Sequence, residues 1–181
     1  MADESQDDES QDGGLAMVQV RRAGPDEWAT YRNVRLAALS DTPEAFYSTL
    51  ERELSLDEQA WRQRLGSADT FLAWRDGRPV GTATGLPYSQ TDTHGFTGAL
   101  HLVAMWVSPQ ARRLGVGALL VKAVTDQARQ AGAPSVVLWV FEANERARAF
   151  YERMGFRATD LRSSRPGNPA DTEFLMVSHL T

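Results

Sequence analysis

An apolar hexapeptide, Leu102-Val103-Ala104-Met105-Trp106-Val107, runs straight into Ser108-Pro109 and then into Arg112-Arg113-Leu114-Gly115-Val116-Gly117. No other stretch limits the fold as much. The run is rich in β-branched and large apolar side chains and is halted by a proline, which predicts a buried strand. Beyond Gly117 the period changes: Val116, Leu120, Val124 and Ala128 recur every four residues up to Ala131-Gly132-Ala133-Pro134. A helix is predicted there, stopped by a glycine with a proline behind it. Two glycines at a helix entrance let a ligand approach the backbone closely, and the orphan amides with the positive end of the dipole suit a phosphate. Leu120 stands where a dinucleotide fingerprint needs its third glycine, and no Gly-Lys-Ser/Thr exists, so the two common phosphate loops fit poorly.

With this strand before it, Arg112-x-x-Gly115-x-Gly117 resembles the acyl-CoA pyrophosphate loop of the GNAT superfamily of N-acetyltransferases, whose pattern is Gln/Arg-x-x-Gly-x-Gly/Ala. A second block, Asn144-Glu145-Arg146-Ala147-Arg148-Ala149-Phe150-Tyr151-Glu152-Arg153-Met154-Gly155-Phe156, is similar to the family's Asn-x-x-Ala-x-x-Phe-Tyr-x-x-x-Gly-Phe. The blocks stand in the family's order, with a helix and a strand between them, and the resemblance covers residues 16–178. It implies an α/β (α+β) fold with a single mixed, mostly antiparallel central sheet of about six to seven strands flanked by helices. It also implies acetyl-CoA as acetyl donor, without a metal.

Length argues for one domain, and a chain of 181 residues with 42% apolar content and five tryptophans can bury one sizeable core. There is no cysteine, which excludes disulfides, thiolate metal sites and a cysteine acyl-enzyme, and fits a cytoplasmic protein. No apolar run approaches membrane-spanning length, and the acidic N-terminus does not read as a signal peptide. The net charge of −5 misleads, since six acids and no base fall in residues 1–14. Subtracting those six from 24 leaves 18 acids against 19 bases, a nearly neutral remainder that gives no reason to expect a nucleic-acid partner. Residues 1–14, with Glu-Ser-Gln-Asp repeated at Glu4 and Glu9, read as a disordered acidic tail, and 15–181 as the acetyltransferase domain.

Along the chain, Ala16 to Arg22 alternates as a first strand, and Pro25 with Asp26 and Glu27 opens a helix carrying Trp28, Tyr31, Val34 and Ala38 on one face. A second helix spans Leu56 to Leu65. Phe71–Trp74 and Val80–Leu86 form a hairpin joined by Asp76-Gly77. Pro87 to Gly98, which holds His94, is a polar loop suited to carry specificity. Ser135–Phe141 is a buried strand, Asn144–Met154 a helix, Arg162–Ala170 a loop and Thr172–Val177 a last strand.

Acetyl transfer to an amine needs a neutral amine, a polarised carbonyl and a proton for the departing thiolate. The resemblance places pantetheine where the central strand and the next one diverge, on the backbone of Met105, Trp106 and Val107, where an amide would polarise the thioester carbonyl. The side chains of Trp106 and Trp139 read as packing. The resemblance puts the pyrophosphate on residues 112–117, where loop amides attract more than the Arg112 and Arg113 side chains do. Within Phe150-Tyr151-x-x-x-Gly155-Phe156, Tyr151 matches the family's proton donor to the thiolate; taken alone it reads as a tyrosine packed on the sheet. Asn144, with Phe150 of the same block, falls at the pantetheine, and Asn144 is also a preferred N-cap. His101 stands where many members carry a glutamate base; alternation puts 101, 103, 105 and 107 on one face, and an imidazole of ordinary pKa near 6.5 would accept a proton. A buried structural histidine fits equally. Phe46 and Tyr47 fall in the region that forms the acceptor wall in the family, or serve as packing.

The expected function is direct attack of a primary amine on acetyl-CoA in a ternary complex, with a small molecule as acceptor. A peptide or protein amine, and a noncatalytic acyl-CoA sensor, are the alternatives. Neither nucleic acid nor membrane is expected as a partner, and a homodimer fits.

Overall fold

The computed structural model describes residues 17–88, 95–165 and 168–180. The acidic tail, Ala16 and His94 lie outside the described residues. The strands are β1 (Gln19–Arg22), β2 (Asp69–Arg75), β3 (Arg78–Pro87), β4 (Leu100–Val107), β5 (Ser135–Phe141), β6 (Arg157–Arg165) and β7 (Asn168–His179). The helices are α1 (Trp28–Asp41), α2 (Leu50–Leu54), α3 (Glu58–Gly66), α4 (Val116–Gln130) and α5 (Glu145–Arg153). All seven strands join one sheet in the order β1-β2-β3-β4-β5-β7-β6. Every neighbouring pair is antiparallel except β4 and β5.

Alternation along the strands sends apolar side chains to two helical layers. Phe71 and Ala73 of β2 and Val136, Leu138 and Val140 of β5 meet the Val116, Leu120, Val124 and Ala128 stripe of α4. Leu72, between the first two, faces the other way and joins Trp61 and Leu65 of α3 with Tyr31, Val34, Ala38 and Leu39 of α1. Asp76 and Gly77 take φ of 51° and 72°, the positive values that a two-residue hairpin turn requires at both positions.

Three elements depart from the expected pattern. The five-residue helix α2 was not expected; it is too short and too charged to show a period, and forms because Thr49 caps it by accepting from the Arg52 amide at 3.2 Å. β1 begins at Gln19. The stretch 162–170, expected as a loop, is instead the end of β6 and the start of β7; Pro166 and Gly167 between them lie outside the described residues. β6 pairs on one side only, with β7, so its outer face keeps polar residues and hides the strand period. Arg162 holds this edge, its guanidinium 5.1 Å from the Phe174 ring and its Nε donating to Glu142 Oε1 at 2.8 Å.

Candidate active site

After β4 the chain leaves the sheet through Ser108 and a 3-10 turn at Pro109–Ala111, and enters α4 at Gly115. Gly115 takes φ +79°, a left-handed conformation that costs a side chain, and nothing lies within 4 Å of where its Cβ would be. The first turn of α4 therefore opens onto space, with its orphan amides, while the buried Val116 pins the helix in the core. The groove here has a volume of about 460 Å³. Met105, Trp106, Val107, Arg112, Arg113, Gly115, Gly117, Asn144, Phe150 and Tyr151 all line it. Leu114 is exposed and Val116 buried, and neither lines the groove.

Two expectations about this loop are refined. Gly117 does not free backbone for a ligand; a Cβ there would lie 3.1 Å from Phe150 Cζ and 3.4 Å from Met105 Cε, so the glycine makes room for neighbouring side chains. Arg112 is already engaged, because its Nε donates to the Val107 carbonyl at 3.0 Å and its Nη2 pairs with Asp41, which also accepts from Trp106 Nε1 at 2.9 Å. Arg112 thus braces the loop against α1. Arg146 and Arg153 line the same groove and were not singled out from the sequence. The signal was there: Arg146, Phe150 and Arg153 are spaced by four and three residues, on one face of α5.

β4 carries the central irregularity. Ala104 takes φ +53°, and the register with β3 runs Val103 to Thr84 and Trp106 to Thr82, so Ala104 and Met105 have no partner in register on β3. This bulge reverses the alternation. Leu100 and Leu102 face α4 before it, Trp106 joins the α1–α3 layer after it, and Met105 and Val107 turn toward the α4 side. Residues 101, 103, 105 and 107 therefore do not share a face, against expectation; a strand-period argument fails at an inserted residue. The bulge also lies where the parallel pairing ends, since β4 pairs with β5 only at Leu100–Val136 and His101–Val137. Beyond His101 the two strands part.

A second cavity, about 670 Å³, occupies this gap on the α1–α3 side. His101, Phe46, Tyr47, Glu53, Trp139, Phe141 and Glu173 help line it. Met105, Asn144 and Tyr151 line both cavities, so the two meet around them. Asn144 caps α5, its Oδ1 accepting from the Ala147 amide at 3.1 Å. Tyr151 packs edge-on between Phe150 and Phe156, at centroid distances of 5.2 and 5.8 Å. Burial pushes its phenol up, which keeps it protonated.

His101 sits edge-on to Tyr88, with centroids 5.6 Å apart. Burial pushes its imidazole down to about 4, instead of the ordinary value expected from sequence. It is neutral at pH 7 and a weak base. Phe46 is buried beneath the Arg35 guanidinium, 4.6 Å from the ring centroid, whereas Tyr47 is 53% exposed, lies 6.0 Å from the Phe141 ring and donates its hydroxyl hydrogen bond to Glu173. Glu53, 1% exposed, accepts from Arg35 Nη2 at 2.9 Å and from Arg64 Nη1 at 3.0 Å. Burial pushes the Glu53 carboxyl up, but Arg35, Ser48 and Arg64 more than offset this and hold it below the usual range.

Neither Glu53 nor Glu173 was singled out from the sequence. Glu173 had a visible signal, an acid two and four residues before Leu175 and Val177 on one strand face. Among the described residues no group of three or more His, Asp or Glu side chains could hold a metal ion, and no helix is long and apolar enough to cross a membrane.

The sequence profile of the Acetyltransferase (GNAT) family matches residues 35–156. A mycothiol acetyltransferase from Thermomonospora curvata is 35% identical over 140 residues, which are 77% of this chain and 43% of that protein. The chain thus spans less than half the length of this curated relative. Among solved structures, a GNAT-family acetyltransferase from Streptococcus pneumoniae superposes with a TM-score of 0.72 at 17% identity, covering 91% of this chain and 100% of the other. PaiA N-acetyltransferase from Thermoplasma acidophilum, solved in complex with coenzyme A, gives 0.70 at 14% identity over 91% of this chain and 99% of the other. At such identities the structural likeness is one of fold.

Proposed function

The chain belongs to the GNAT family of acetyltransferases, and on that premise we propose that it transfers the acetyl group of acetyl-CoA to a small primary amine by direct attack in a ternary complex. The observation that carries this reading is the meeting of two cavities at the point where β4 and β5 part, with Tyr151 and Asn144 on both. One cavity suits a diphosphate on a tail; the other suits an acceptor. When bound, acetyl-CoA supplies an acyl group activated as a thioester.

The chain's own groups divide the work. Amides at the α4 entrance, with Arg113, Arg146 and Arg153 around the groove, hold phosphates. The backbone of Met105, Trp106 and Val107 lines the path toward the gap, and the main-chain N–H groups at the bulge are the donors to polarise a carbonyl. Tyr151, protonated and placed at the junction, gives its proton to the leaving sulfur and is reprotonated as the nitrogen loses its own. Asn144 orients the donor with the amide nitrogen left over from capping. Phe46 and Tyr47 form one wall for the acceptor. His101, as a weak neutral base, serves as wall more than as proton acceptor.

A cavity of about 670 Å³ favours a small molecule over a folded protein surface as acceptor. A cytoplasmic location is part of the same proposal. The test is mass detection of acetylated products from a panel of amines with acetyl-CoA. Acetylation of small amines supports the reading. Tight coenzyme A binding with no product from any amine favours an acyl-CoA sensor, and acetylation of peptides alone favours a peptide acceptor.

A further inference from the structure

α1 ends on an acid. Asp41 is its last residue and no basic side chain falls in that turn, so a negative charge stands at the negative end of the helix dipole, where the helix alone disfavours it. Its partners give the reason. One oxygen of the carboxylate, Oδ2, accepts from Trp106 Nε1 at 2.9 Å and pairs with Arg112 Nη2, while Arg112 Nε donates to the Val107 carbonyl at 3.0 Å. Trp106, 8% exposed, is the first residue beyond Ala104 and Met105, the two without a partner in register on β3, and Val107 is the last residue of β4. A single oxygen thus gathers the end of α1, the far side of the bulge and the loop that leads to α4. The residues that follow Asp41 wall both cavities: Thr42 and Ala45 line the donor groove, and Ala45, Phe46 and Tyr47 line the acceptor cavity. Asp41 itself lines neither, so it acts only through residues that do.

We propose that Asp41 is a positioning residue for acetyl transfer: it fixes the Met105–Val107 main chain at the gap against the donor loop and the acceptor wall, and it commits the Arg112 charge to this joint instead of to the diphosphate. The proposal rests on the reading of the chain as an amine acetyltransferase. Removing the carboxylate acts in two opposite directions. The main-chain N–H groups at the bulge lose their fixed distance from the donor loop, and transfer, which tolerates little misplacement, slows. Arg112 lines the donor groove with Arg113, Arg146 and Arg153, so its released guanidinium adds a cation there and coenzyme A binds more tightly. An aspartate that served only to hold the fold together would not give this split, because its loss would loosen the groove and weaken binding along with turnover.

Coenzyme A binding to the full chain is measured by calorimetry, and kcat with saturating acetyl-CoA and the amine of the panel that is acetylated fastest, for the unaltered protein, Asp41→Ala and Asp41→Asn. Asp41→Ala should lower kcat by about 30-fold and, at the same time, lower the coenzyme A Kd by about threefold. Asp41→Asn keeps an acceptor for the Trp106 indole and removes the charge, so kcat should fall by only about fivefold, with the same gain in coenzyme A binding. Unchanged kcat in Asp41→Ala overturns the proposal, and so does a fall in kcat with a coenzyme A Kd that is equal or higher. Should Asp41→Ala fail to fold, the isosteric Asp41→Asn decides by the same two readings. If the unaltered protein acetylates no amine, the enzymatic reading is refuted and Asp41 is judged on coenzyme A alone: a lower Kd in Asp41→Asn leaves the joint standing, and an equal or higher one refutes it. Acetylation by Asp41→Ala as fast as by the unaltered protein refutes the joint and leaves the enzymatic reading standing.

Discussion

Tyr151 lines both cavities, and its neighbours explain why it is a phenol rather than an anion and so, in the proposed reaction, a donor of protons. Buried between two phenylalanine rings, the phenol is pushed up and stays protonated across the working pH range. Tyr151→Phe keeps the ring contacts and removes only the proton, so kcat should fall by about 100-fold or more while the coenzyme A Kd is unchanged. Unchanged turnover would remove the role. His101 makes a prediction about stability instead. Its folded pKa, about 4, lies below the ordinary value of 6.5, so between those limits the unfolded chain binds the proton that the folded one refuses. Stability from this group is complete above pH 6.5 and is lost as pH falls through about 4. Allowing for the ring's partial exposure, the loss is about 2 kcal/mol. Urea unfolding at pH 7 and pH 4.5 should show a smaller acid loss in His101→Gln than in the unaltered protein; equal losses would contradict the assignment.

At the scale of elements, the loop and helix after β4 were readable because Gly115 and the α4 stripe are local signals. The bulge was not. Nothing in Leu102-Val103-Ala104-Met105-Trp106-Val107 marks Ala104 as the residue with positive φ; the inserted residue is fixed by the unequal pairing of β4 with β3 and β5, a contact between distant segments. That single insertion moved Met105 and Val107 off the face of His101 and opened the gap that joins the cavities. The close approach of α5 to α4 yields a separate prediction. In Gly117→Ala the new methyl would press on Phe150 and Met105, at 3.1 and 3.4 Å, and both line the donor groove. The helix gains about 1 kcal/mol from alanine and loses a similar amount to crowding, so the melting temperature should barely move. The ring must yield into the groove, and the coenzyme A Kd should rise by about tenfold. An unchanged Kd would show that the methyl is accommodated elsewhere.

For the whole molecule, the mixed sheet flanked by helices followed from apolar strands, capping residues and two sequence blocks, and the observed seven strands agree with it. What escaped the sequence has one physical origin, since it depends on partners far along the chain. The edge strand β6 is polar and gains its order from β7, while Glu53 joins Arg35 across 18 residues and Tyr47 reaches Glu173 across 126. A residue's chemistry is visible in a sequence; its opposite number is not. Two cavities touch at one gap, and in the proposed reaction donor and acceptor occupy one each and are bound together, with no cysteine in the chain to carry the acyl group between them. Initial velocities measured with acetyl-CoA varied at several fixed concentrations of an accepted amine test this most directly. Lines that intersect in the double-reciprocal plot are the predicted result; parallel lines, the mark of an acyl-enzyme, would contradict it.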